Sequence, residues 1–302
     1  MATNTMTTQQ TQPPITDKEA VQRRHRFLAW QRGTEQVVVR IFLIAMCLIF
    51  LAPLYWMFVT ALKTTPELSV FPPTFWPTSV QWGNFWTAVN YIPFGIYFWN
   101  SLIISLMKVL GAVLSNMLVA YGFSCINWPG RDKVFYIVIA TLFLPFPVAM
   151  IPLFDLFATL KWVDSALPLV VPTFFASAFN VFLLRQFLLQ IPRELMEAAR
   201  IDGASELQIL WRVVFPLSLP AIGVISIFTA VDSWKDFMGP LIYIQNDFYR
   251  TLSVGLQFFR STHDIQFNLL MAASFLTVLP LIVLFLIFQR FFVRGMTIGS
   301  IR

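Results

Sequence analysis

Charge is what this sequence has least of: 12% of its 302 residues are Asp, Glu, Lys or Arg, against roughly 25% in a soluble domain. Too few polar side chains remain to cover a soluble globule of this length. Histidine and cysteine are scarce as well, with two of each. His25 and His263 stand in a tail and a loop without a ligand or triad partner at motif spacing, so no metal centre or histidine-activated nucleophile is expected. Cys47 and Cys125 are far apart, each in or beside an apolar run, which speaks against a disulfide framework or a thiolate metal site. The sequence contains no G-x-x-x-x-G-K-[ST] phosphate loop, so it is not expected to hydrolyse nucleotide. It also offers no paired carboxylates for acid–base work, and it reads as a chain that is not an enzyme.

What is abundant is apolar. Hydrophobic residues make up 57% and aromatic residues 16%, with 32 Phe and 10 Trp, which excludes intrinsic disorder and suits a chain bathed in lipid. The formal charge of +6 is not gathered into one patch, so nucleic acid is not an expected partner.

Residues 1–36 form a polar and basic tail, with Asp17 to Arg32 readable as a helix lying at an interface. Residues 37–302 carry six apolar runs: Ile41–Leu62, Trp99–Phe123, Val134–Leu160, Leu167–Leu189, Phe215–Trp234 and Leu269–Phe292. The first alone would measure about 33 Å as a helix, enough to cross roughly 30 Å of hydrocarbon. The runs lack period-2 alternation and are too long for barrel strands, and backbone in lipid must bond within its own segment, so an all-α membrane protein with six spanning helices is expected. With the amino terminus inside, fifteen Lys and Arg flank the inner ends. Five (Lys63, Lys161, Lys235, Arg250 and Arg260) lie outside, and Lys108 falls within a span. The inside bias of Lys and Arg then places both termini in the cytoplasm.

The connection over 191–216 departs from a plain bundle. Pro192 suits a helix start, Glu194 and Glu197 favour the early turns, and Arg200 favours the end. Gly203 permits the left-handed stop, and Asp202 is positioned to cap the helix that restarts at Ala204. Leu195, Ala198, Ala199 and Ile201 give this short helix a small apolar surface edged by charge. On the residues alone, a helix lying on lipid head groups and a docking element for another protein are equally good readings.

Glu197-Ala198-Ala199, Asp202-Gly203-Ala204 and Phe215-Pro216 resemble the EAA loop of ABC importer permeases. The wider run with Ile191-Pro192 and Arg200-Ile201-Asp202-Gly203-Ala204-Ser205 looks most like the carbohydrate-uptake group, of the maltose and glycerol-phosphate importer type. Asn100-Ser101 and the broken third run at Leu144-Pro145 are similar to the same family, and Gln289-Arg290-Phe291-Phe292-Val293-Arg294-Gly295 resembles the closing segment usual in the second permease of the pair. After Ser233-Trp234 the family commonly carries Asn and an acid, whereas Lys235-Asp236 stand here. The resemblance implies a type I importer permease fold in a bacterial plasma membrane, moving a sugar, oligosaccharide or polyol derivative. It implies a homologous permease, an ATPase dimer and an external solute-binding protein as partners, with Mg-ATP held by the ATPase and no cofactor on this chain. It further implies that Glu197, Ala198, Ala199, Asp202 and Gly203 make the coupling contact.

Ionisable and polar groups inside spans are candidates for a solute path. Lys108 reads equally as a path or pairing residue and as an outward-snorkelling lysine, and a direct pair with Asp232 is not expected because their depths differ by about 10 Å at 1.5 Å per residue. Asn116, Asn180 and Asp232 are further candidates, although helix-to-helix hydrogen bonding is the commoner role for such amides. Pro145, with Pro147 and Pro152, is expected to break the third span beside a cavity. The rival reading is a stand-alone secondary transporter or membrane enzyme; a closer one keeps the importer but gives it a non-carbohydrate solute.

Overall fold

The computed structural model describes residues 17–260 and 266–298, with side chains over 35–260 and 266–289. The start of the tail, His263 and the side chains of His25 and of the segment after Gln289 lie outside the described residues. The chain divides into two units, Met1–Trp56 and Met57–Arg302. The described part of the first unit is helix α1 (Asp17–Ala61), which runs on into the second unit. A separate helix over Asp17 to Arg32 does not form. Gly33 is the weak point there, and one glycine costs a helix only about 1 kcal/mol, too little to stop it ahead of an apolar run. Val38, Ile41, Leu48 and Phe50 are all exposed, the surface of a helix meant for lipid.

The second unit contains α2 (Gly83–Tyr91), α3 (Phe94–Ser124), α4 (Arg131–Ala140), α5 (Phe146–Thr159), α6 (Ala178–Leu188), α7 (Arg193–Ile201), α8 (Glu206–Ile209), α9 (Leu219–Lys235) and α10 (Phe267–Ile298), with shorter helical turns between them. Every element among the described residues is helical. Four stretches are long and apolar enough to cross a membrane: Glu35–Ala61, Phe94–Ser124, Leu167–Leu188 and Phe267–Gln289. Two more are bent pairs, Arg131–Phe143 with Phe146–Thr159 at 98° and Glu206–Leu217 with Leu219–Lys235 at 80°. If each bent pair is one span, the candidates number up to six among the described residues.

The two bends have different causes. The first falls at Leu144, whose backbone is extended before Pro145, as the ring of a following proline requires. Pro147 lies in the tolerant first turn of α5, and Pro152 sits inside that helix without ending it, so Pro145 makes the break. The second bend follows a π-helical turn at Leu210–Val214 and centres on Ser218. Ser218 is fully buried, and its hydroxyl donates to the Val214 carbonyl at 2.7 Å.

The fourth run is interrupted as well. Ala176 has φ +62° and Ser177 is extended before α6. Helix α3 satisfies this irregular backbone: Asn116 Oδ1 accepts from the Ser177 N–H at 2.7 Å, and Ser115 Oγ accepts from the Ala176 N–H at 3.2 Å. Broken backbone at membrane depth is tolerated when protein packs around it in this way. Close approach here needs Gly111, where a Cβ would come within 2.6 Å of Thr173 and Phe174. Two separate apolar cores flank this crossing. One gathers Met117, Tyr121, Leu184, Met196, Ile209 and Val214; the other gathers Tyr97, Trp234, Leu252, Phe259 and Leu269.

Candidate coupling and translocation site

Helix α7 is set by its ends. Pro192 precedes it with φ −56° and ψ 129°, Glu194 is in its first turn, and Arg200 is in its last. Gly203 takes φ +82°, a left-handed conformation that a Cβ would disfavour. Asp202 closes α7 and does not cap the next helix. Ser205 does: its Oγ accepts from the Gln208 N–H while Gln208 Oε1 accepts from the Ser205 N–H at 2.9 Å. Helix α8 begins at Glu206, so only Ser205 is at the register a capping box demands.

The apolar residues of α7 divide between two faces, with Leu195, Ala198 and Ile201 exposed. Met196, which sequence reading passed over, is the anchor, 4% exposed in the core with Tyr121 and Ile209. Ala199 is half-buried against the same core, while Glu197, Ala198, Asp202 and Gly203 are exposed. Ile201 points fully outward at 86% exposure.

Between α7 and the bundle lies a charged bridge that the sequence did not announce. Glu206 Oε1 accepts from Arg200 Nε at 2.7 Å, and Glu206 Oε2 accepts from Arg200 Nη2 at 3.2 Å and from Tyr121 Oη at 2.5 Å. The Glu206 carboxylate, above all, raises the Arg200 pKa still further. Tyr121 is 85 positions from Glu206, and no local spacing signals such a pair.

The path candidates converge only in part. Lys108, Asn116, Asn180 and Asp232 line one cavity of about 510 Å³, with Thr229 and Lys235. A second cavity of about 720 Å³ shares Lys108, Asp232 and Lys235 and adds Asp236 and Tyr243. Pro145 lines neither cavity; it turns the chain, and its neighbour Phe146 borders the second. Lys108 pairs across the bundle with Asp236 at 3.4 Å, and Asp232 pairs with Lys235 at 3.5 Å. Lys108 and Asp232 thus have different partners, and Asp236 was not among the residues weighed for Lys108. Asp236 is the C-cap of α9 with extended backbone, where helical rise no longer measures depth. Asn116 has both ends of its amide occupied, by the Ser177 N–H and the Ala112 carbonyl, so its part is structural as well as lining.

Apolar helices, two of them bent pairs, around a polar cleft define the class: a helical membrane component. Residues 117–298 match the family described as "Binding-protein-dependent transport system inner membrane component", and the chain belongs to that family. It is 30% identical over 277 residues to the arabinooligosaccharides transport system permease protein AraQ of Bacillus subtilis (strain 168), covering 90% of this chain and 98% of that protein. It is 35% identical over 274 residues to the sn-glycerol-3-phosphate transport system permease protein UgpE of Pectobacterium atrosepticum, covering 88% and 97%. Its fold is similar to a chain in the crystal structure of a bacterial ABC transporter involved in the import of the acidic polysaccharide alginate, with a TM-score of 0.76, 21% identity, and 87% and 98% of the two chains covered. The family is one of transport components and not of enzymes.

Proposed function

We propose that this chain is one of two different permease subunits of a bacterial ATP-driven importer for a sugar, oligosaccharide or polyol derivative. It forms half of a translocation path and couples to a separate ATPase through α7. The observation that carries this reading is α7 itself: held to the bundle by Met196, it leaves Glu197, Ala198, Asp202 and Gly203 uncovered on a chain of this family. Both termini and α7 face the cytoplasm in this reading, supported by the fifteen-to-five excess of Lys and Arg on that side. The expected partners are a homologous permease, two ATPase subunits that bind Mg-ATP, and an external solute-binding protein. The names of the relatives support the solute class.

Coupling requires that the ATPase bind the two states of the gate differently, and a docked helix supplies such a contact. Glu197 is the side chain placed to meet a basic or amide group on the ATPase. In the complete transporter, Glu197→Lys should therefore lower both transport and solute-stimulated ATP hydrolysis by about tenfold or more, the scale of a lost charged contact. Normal transport and stimulation in that variant would overturn the proposal.

A further inference from the structure

We propose that Tyr121, Glu206 and Arg200 form a clamp that passes the displacement of α7 to α3, and so to the cleft that α3 lines with Lys108 and Asn116. This rests on reading α7 as the helix that docks the ATPase, and it adds the route by which that docking reaches the membrane interior.

The geometry has three parts. Arg200 is in the last turn of α7, Glu206 opens α8, and Tyr121 is near the end of α3. The Glu206 carboxylate receives two N–H groups from Arg200 and the hydroxyl of Tyr121. Helix α3 then runs unbroken from Tyr121 back to Lys108, about 20 Å at 1.5 Å per residue. A shift at one end of such a rod arrives at the other.

Apolar packing alone would not serve. Met196 keeps α7 on the core, but hydrophobic contact is non-directional and tolerates sliding. A two-pronged Arg–carboxylate bond with a Tyr hydroxyl on the same carboxylate fixes orientation. The Arg200 and Glu206 side chains are also 39% and 47% exposed, and ion pairs so exposed add little to folding. Removing the clamp should therefore loosen transmission more than it loosens the fold.

The test uses the complete transporter in liposomes with its solute-binding protein. Thr229→Cys is introduced in the cleft, with Cys47→Ala and Cys125→Ala removing other thiols. Labelling of that cysteine by a membrane-impermeant maleimide is timed with and without ATP plus vanadate, and ATP hydrolysis is followed in parallel. With the clamp intact, nucleotide should change the labelling rate at least fivefold. Tyr121→Phe and Glu206→Gln should each shrink that change below twofold while basal ATP hydrolysis, measured without solute, stays within twofold, and the exchanged pair Arg200→Glu with Glu206→Arg should recover part of it. A full nucleotide response in both single variants would overturn the clamp, as would a cleft indifferent to nucleotide with the clamp intact. If Glu197→Lys abolishes coupling but Tyr121→Phe does not, the clamp alone falls; if neither matters, the docking role of α7 falls with it.

Discussion

The two ends of the bundle handle polar groups in opposite ways. At one end Lys63, Glu67 and Asn268 are all buried, Lys63 to 3% exposure. Lys63 Nζ donates to the Thr74 carbonyl, Glu67 Oε1 accepts from the Thr74 hydroxyl at 2.9 Å and the Thr78 N–H at 3.0 Å, and Asn84 Nδ2 donates to the carbonyls of Ala61 and Lys63. At the other end the charges of Arg200 and Glu206 stay partly in solvent, beside a helix whose Leu195 and Ile201 are bare. Most of these buried polar groups are bonded within the chain, although Glu67 Oε2 and Asn268 Oδ1 have no hydrogen-bond partner among the described residues, and such bonding marks a scaffold. Leu195 and Ile201 are left outward here, as Phe71, Phe75 and Trp76 are at the other end, so it is the partly solvated ion pair and not apolar exposure that tells the two ends apart. The comparison thus separates an end tied together by buried polar bonds from one whose charges stay partly in solvent.

The sharpest way to break it is to remove Glu67. Glu67→Ala strips the acceptor from Thr74 and Thr78 beside the buried Lys63, which should cost about 2 kcal/mol or more. In detergent that should lower the apparent melting temperature by about 4–8 °C, whereas Arg200→Ala at the open end should lower it by about 2 °C or less. Acid provides a second reading. Burial pushes the Glu67 carboxyl up, but the bonds from Thr78 and Thr74 and the charge of Lys63 outweigh it and hold the group below its usual range. Its folded pKa is thus below the unfolded value, and the stabilisation is present above about pH 4.3 and lost as the pH falls further. Melting of the parent chain should drop over that interval, and Glu67→Gln should flatten the drop. Equal acid profiles would deny the carboxylate this role.

Next in size is the cleft, where the same comparison applies on a smaller scale. Lys108–Asp236 is the sheltered pair and Lys235–Asp232 the exposed one, with side-chain exposures of 13% and 26% against 65% and 76%. Lys108→Met leaves Asp236 charged and half-buried with only the Gly239 N–H at 3.1 Å. A lost charged hydrogen bond of about 1.5–3 kcal/mol corresponds to import slowed by about tenfold or more in proteoliposomes. Adding Asp236→Asn should cost less than the product of the two single effects, because the groups act as a pair. Lys235→Gln should change import by about twofold or less, since its partner is already hydrated. Similar losses from Lys108→Met and Lys235→Gln would remove the distinction between the pairs.

The apolar runs were legible because a span must be long and continuous in composition, and α7 was legible because Pro192 and Gly203 punctuate the chain on either side of it. What escaped was pairing over distance. Asp236 lies one step past the end of α9 and was not weighed as a partner for Lys108, because only Asp232 was compared with that lysine in depth. The Tyr121–Glu206 bond and the capping of Ala176 and Ser177 by Ser115 and Asn116 depend on how two helices are rotated against each other, which one sequence does not encode locally. Met196 was passed over because the eye went to small residues suited to a partner, while a nine-residue helix must first bury one large side chain of its own. Pro152 was read as a break because proline removes a helix bond, yet α5 runs on through it to Thr159.

The smallest predicted effect asks how closely a partner approaches the open end. Gly203 has φ +82°, and an added Cβ there would meet nothing within 4 Å. Within this chain Gly203→Ala therefore costs only the backbone preference, about 1 kcal/mol, or about 2–4 °C of apparent melting temperature. Gly203→Asn should cost less, because Asn enters the left-handed region more readily. If coupling in the complete transporter falls by no more than about fivefold for Ala, and less for Asn, the backbone accounts for all of it at 1.4 kcal/mol per tenfold. A larger loss, with Asn worse than Ala, would mean that side-chain bulk is what matters. That would point to a partner surface seated directly against the turn that ends α7, as docking of the proposed ATPase there would give.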